Sequence, residues 1–156
     1  SANGARLSYN RPDPGGARPL GEPKDPAMHC PTHAYADVVV VSASGRIDFA
    51  GAQALEAAVA PSIAPDAQVR GLVIDFAHVD YISSVGLRVL MVAAKALRAR
   101  KASIAIASLT PVVAEIVEIS RFHHVVDVRR DVREAIGAIS AQALAAWDRA
   151  HAAERS

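Results

Sequence analysis

Two short apolar runs constrain this chain more than any other feature. GLVIDF, Gly71 to Phe76, and SIAIA, Ser103 to Ala107, are too short for helices that bury one face. Their apolar residues are consecutive, not alternating, so they read as strands covered on both faces. The residues between them carry a helical pattern, and helical patterns also precede the first run and follow the second. Strands alternating with helices imply an α/β fold with one mainly parallel sheet and helices packed on it.

The remaining elements fit that frame. DVVVVSASGRID, Asp37 to Asp48, reads as two short strands joined by a Ser/Gly turn, an antiparallel hairpin that ends at Asp48. FAGAQALEAAVAPSI reads as a helix burying Leu55, Ala58 and Val59. LTPVVAEIVEIS has Thr110 as N-cap and Pro111 at the first helical position, with Val113, Ile116 and Val117 on the buried side. VVDV, Val125 to Val128, is a short strand. Asp131 then caps one last helix, which buries Val132, Ala135, Ile136, Ile139, Ala143 and Leu144 and is anchored by Trp147. The expected order is β-β-α-β-α-β-α-β-α, with about four helices in a single domain over residues 35–147. Residues 1–34 are rich in Pro, Gly and charge and read as a flexible tail. Residues 148–156 read as a C-terminal tail or helix extension.

Composition narrows the function. The chain has 156 residues, of which 51% are hydrophobic and 4% aromatic, so the core is built from Ala, Val, Ile and Leu. The formal net charge is +1, and no basic block is long enough to suggest nucleic acid as a partner. One cysteine, Cys30, excludes an internal disulfide and suits a reducing compartment. No apolar run approaches the roughly 18 residues of a membrane helix, and a signal-peptide pattern is absent. The expectation is a soluble cytoplasmic protein without membrane insertion.

The helical stretch from Val79 to Lys101 opens on two serines, VDYISSVGLRVLMVAAKALRARK. At about 100° per residue, Leu87, Leu90, Met91, Ala94 and Leu97 share one side, which reads as the sheet-facing stripe. Val85, Val89, Val92 and Ala96 fall on roughly the opposite side. That second stripe is either covered by a neighbouring helix or offered to another protein. Ser84 projects between the stripes, with Arg88 one turn on and Lys95 two turns further. A serine here is either a helix cap or a residue whose hydroxyl can take a phosphate, since a helix N-terminus favours negative charge.

GRID at Gly45–Asp48, LVIDF at Leu72–Phe76, VDYISSVGLRVL at Val79–Leu90 and EISRFHHVVDV at Glu118–Val128 together resemble the STAS family. That family comprises the domains of bacterial anti-sigma factor antagonists and the cytoplasmic ends of sulfate transporters. The resemblance covers about residues 36–140. It implies a regulatory binding module, not an enzyme, with no cofactor. In such antagonists a serine at the start of this helix is phosphorylated by a partner that is both anti-sigma factor and serine kinase. The unphosphorylated antagonist binds that partner and frees the sigma factor, and a serine phosphatase resets the cycle. Matching on Gly86 puts Ser84 at the phosphorylated position. Ser83 stands where the family commonly has Asp, and Val85 stands at the second hydroxyl position. Asp48 matches an acidic position near the partner surface, while its local role is to cap the next helix or close a turn. The resemblance thus implies a partner surface of Asp48, Ser83, Ser84, Val85, Gly86, Arg88, Val89 and Val92. A transporter-subunit use of the same fold, in lipid or anion transport, is the alternative.

Other signals are weaker. HCPTH offers His29, Cys30 and His33 in a Pro-rich segment without a fourth ligand, so no metal site is expected. His123 and His124 read as a solvated loop or core edge. PDPGG and SASG lack the lysine of a phosphate-binding loop and the spacing of a dinucleotide fold. No Ser/His/Asp set has a known catalytic spacing.

Overall fold

The computed structural model describes residues 30–155. Five strands, β1 (Thr32–Tyr35), β2 (Val38–Ile47), β3 (Gly71–Ile82), β4 (Ser103–Ala107) and β5 (Asp127–Arg129), form one sheet in sequence order. β1 is antiparallel to β2, and all other pairs are parallel. Helices α1 (Phe49–Ile63), α2 (Ser84–Ala99) and α3 (Pro111–Ile119) connect the parallel strands. Helices α4 (Val132–Ile139), α5 (Ala141–Ala150) and α6 (Ala152–Arg155) follow β5. None of these is long and apolar enough to cross a membrane.

The consecutive apolar runs do what their pattern predicts. Leu72, Ile74 and Phe76 point into a core shared with α1, α2 and α3, while Val73 points into a second core shared with α4 and α5. β4 divides in the same way, Ile104 and Ile106 on the first face, Ala105 and Ala107 on the second. Crossovers that step in one direction along a sheet and share the usual right hand place their helices on one face. The helices after β5 must therefore cover the other face.

The structure corrects three of the expected elements. First, Asp37 to Asp48 is not a hairpin. Val38–Ile47 is a single strand, and its partner is β1, which begins at Thr32 within the segment read as tail. The hairpin turns at Ala36, whose φ of 56° is left-handed. The Ser/Gly stretch instead makes irregularities in the register with β3, where Gly45 has a φ of 85°. Second, the strand expected over Val125–Val128 lies at Asp127–Arg129, because Val126 is buried at the end of a 3-10 turn over Phe122–His124. Third, the last helix is broken at Ser140. Its hydroxyl accepts from Ala143 N at 3.0 Å to start α5, and donates to Asp37 Oδ1 at 2.8 Å. Thr110 stands at the N-cap of α3 as expected, with Pro111 next, and its hydroxyl donates to Val79 O at 2.7 Å.

The buried stripe of α2 is also rotated from the expected one. Gly86, Leu90, Ala93, Ala94 and Leu97 are buried, Leu87 is half-buried, and Met91 is 42% exposed. The small residues Gly86 and Ala93 let the helix lie close to the sheet, and that close approach decides the facing.

Candidate functional site

β2 and β3 end side by side, with Ile47 opposite Ile82. The next residue of each strand caps a helix. Asp48 Oδ1 accepts from Gly51 N at 3.0 Å and starts α1; Ser83 Oγ accepts from Gly86 N at 3.2 Å and starts α2. Ser83 N donates to Ile47 O at 2.9 Å, which ties the two starts together. The two turns share one plan, a cap followed three residues later by glycine: DFAG over Asp48–Gly51 and SSVG over Ser83–Gly86.

Both glycines sit where a side chain has no room. A Cβ on Gly86 would lie 2.7 Å from Ile47 Cγ2 and 2.8 Å from Ile82 Cγ1; one on Gly51 would lie 2.5 Å from Arg46 O. The first turns of α1 and α2 are thus pressed onto the strand ends, and the residue after each cap is pushed outward. That residue is Phe49 in α1, 65% exposed, and Ser84 in α2, also exposed.

The two serines therefore have different roles in the fold. Ser83 is the cap. The Ser84 hydroxyl has no hydrogen-bond partner among the described residues. Arg88 is exposed one turn further along α2. Val85 and Val92 are 39% and 50% exposed, while Val89 is half-buried against the core. Of the expected surface set, Gly86 alone is buried, and its part is to bring the turn close. Asp48 is exposed beside the others and also serves as a cap.

Sequence reasoning missed Phe49, and also Val112, which is 51% exposed at the start of α3. Arg46 lies over the Tyr81 ring at 4.4 Å on the neighbouring strand ends, and was likewise missed. The cap-x-x-Gly spacing would have found Phe49, since it marks which residue of each turn faces out.

Of the HCPTH ligands, His29 lies outside the described residues, Cys30 is half-buried and His33 is exposed. Among the described residues no cluster of three or more His, Cys, Asp or Glu is placed to hold a metal ion. His123 and His124 sit exposed on the 3-10 turn.

A model of the STAS domain matches residues 30–135. BtrV of Bordetella bronchiseptica, named as an anti-sigma factor antagonist, is 36% identical over 107 residues, which is 69% of this chain and 90% of BtrV. The crystal structure of an anti-sigma factor antagonist from Mycobacterium paratuberculosis superposes with a TM-score of 0.65 at 25% identity, over 72% of this chain and 94% of that one. An anti-sigma factor antagonist (STAS) domain protein from Planctomyces limnophilus gives a TM-score of 0.63 over 71% of this chain and 97% of its own; at 19% identity it is a likeness of fold alone.

Proposed function

The chain belongs to the STAS domain family, and from that premise we propose that it is an anti-sigma factor antagonist switched by phosphorylation at Ser84. In its unphosphorylated form it binds an anti-sigma factor that is also a serine kinase, in the cytoplasm. Phosphate on Ser84 ends the binding, and a serine phosphatase restores it. The protein is a binding module in this cycle and catalyses nothing itself.

The observation that carries this reading is the division of labour between the serines. Ser83 satisfies the helix start, so Ser84 is free to be modified without loss of a cap. A phosphate there adds about −1.5 to −2 charges. The fold tolerates them, because the first N–H groups of α2 and the Arg88 guanidinium favour negative charge. A partner seated on Val85 and Val92 does not tolerate them, because it would have to strip water from the phosphate.

The test is incubation with the kinase-type anti-sigma factors of the same genome and ATP, followed by mass spectrometry. Phosphate on Ser84, lost in Ser84→Ala and retained in Ser83→Ala, is the expected result. Phosphate on Ser83, or full labelling of Ser84→Ala, would overturn the assignment.

A further inference from the structure

α1 and α2 leave the sheet side by side, and the seam between them does not close. Buried Val59 forms its floor, Ile63 and Val89 are half-buried walls, and Val85 and Val92 stand partly exposed along one lip. The groove holds about 250 Å³. It stays open because the facing residues are short: valines on α2, and Ala60 on α1.

Charged side chains of opposite sign stand on its two lips. Arg88 on the α2 lip and Glu56 on the α1 lip line the groove, and Lys95 is exposed on α2 two turns beyond Arg88; none of the three has an ion-pair partner among the described residues. The apolar groove therefore has an unpaired basic lip on one side and an unpaired acid on the other.

These features select one kind of occupant. The groove lies between two helices whose backbones are already hydrogen-bonded within themselves, so a segment lying in it must satisfy its own backbone. A helix does so. Val85, Val89 and Val92 recur at helical intervals, and the span from Val85 to Val92 is about 10.5 Å at the helical rise of about 1.5 Å per residue. A stripe at i, i+4 and i+7 on a second helix matches that length. The geometry points to the groove between α1 and α2 as the dock for an amphipathic helix of the anti-sigma factor, with carboxylates on the flank facing Arg88 and Lys95 and a basic residue on the flank facing Glu56. The identity of the partner rests on the function proposed above; the groove and its charge pattern do not. Ser84 lies at the head of the basic lip, so a phosphate there repels the same acidic flank that Arg88 attracts.

Two measurements test this. The first is an NMR titration of the full chain with a stapled helical peptide of about fifteen residues, carrying Leu at i, i+4 and i+7, Glu on one flank and Lys on the other. Its control has Glu and Lys exchanged. Shifts at Ala60, Ile63, Val85 and Val89 are expected, with the control weaker by about fivefold. Equal binding of the two peptides, shifts centred elsewhere, or none up to about 1 mM overturns the proposal. The second uses Ala60→Arg, an exposed position where the new side chain fills the groove and pairs with Glu56 on its own helix. Binding of the kinase-type anti-sigma factor is expected to fall about tenfold with melting temperature unchanged. If Ala60→Arg binds like wild type, the groove is overturned while the Ser84 reading stands. If the wild-type chain binds none of these factors and is not labelled, the Ser84 reading falls and the peptide titration alone decides the groove.

Discussion

At the end of the sheet where α1 and α2 begin, each cap reaches only three residues along its own chain, and two longer ties, Ser83 N to Ile47 O and the Thr110 hydroxyl to Val79 O, join the helix starts to neighbouring strands. Phe49, Val85 and Val112 stand exposed there. At the opposite end the contacts reach across the sequence. Arg100 donates to Val69 O at 2.7 Å and also to Ser62 O, closing the C-terminal end of α1. Asp37 accepts from Ser140 Oγ at 2.8 Å across 103 residues, and its carbonyl accepts from Arg70 N at 2.7 Å. Both ends carry long-range polar ties, but at the first end the exposed Ser84 hydroxyl takes part in none of them. A charge on Ser84 therefore displaces no hydrogen bond among the described residues.

The sharpest way to break this comparison is Gly86→Val, because the packing under the open end is tight. Its side chain runs into Ile47 and Ile82, and a loss of about 3 kcal/mol in urea unfolding is expected. A loss below about 1 kcal/mol would mean that the first turn of α2 is free to lift away. Next in size is Ser84→Glu, which should weaken binding to the anti-sigma factor about 100-fold, roughly 2.7 kcal/mol, with circular dichroism and melting temperature unchanged. Calorimetric titration measures it, and wild-type affinity would remove the electrostatic basis of the proposed switch.

At the tied end, Arg100→Ala removes the donors to two backbone carbonyls and is expected to destabilise the fold by about 2 kcal/mol, while leaving partner affinity within about twofold. If affinity falls with stability, the two ends are coupled. A smaller pair of changes separates the serines: Ser83→Ala should cost about 1 kcal/mol as a lost cap, and Ser84→Ala less than about 0.5 kcal/mol. Equal losses in denaturant titrations would refute the assignment of the cap.

The smallest effect concerns Cys30, two residues before β1. Burial disfavours the thiolate and pushes the thiol pKa from 9.0 up to about 11. A pKa raised by folding contributes stability in full below about pH 9 and loses it as pH climbs toward about 11. Alkylation of the folded protein at pH 8 should accordingly be slower than that of the urea-unfolded chain. Equal rates would show Cys30 to be solvated.

Element types were legible where the chain states them locally. The apolar runs of β3 and β4, the caps Asp48 and Asp131, and Pro111 at the start of α3 need only neighbouring residues to be read. Errors came where a distant residue decided. Ser140 breaks the last helix because Asp37, far away in sequence, accepts a hydrogen bond from its hydroxyl. Val38–Ile47 stays a single strand because β1 and β3 supply its hydrogen-bond partners on both edges, which absorbs the Ser/Gly turn signal as irregular register.

The candidate site divides in the same way. Sequence by itself determined that a hydroxyl residue would stand at the start of α2 beside Arg88, because cap chemistry and helical spacing are local. Which serine caps and which faces solvent was decided by tertiary structure. Ile47 and Ile82 leave room only for glycine at position 86, and that contact sets how the first turn meets the strand ends. The apolar groove likewise exists only because two separately encoded helices, each short of bulk on the facing side, are laid side by side on the sheet.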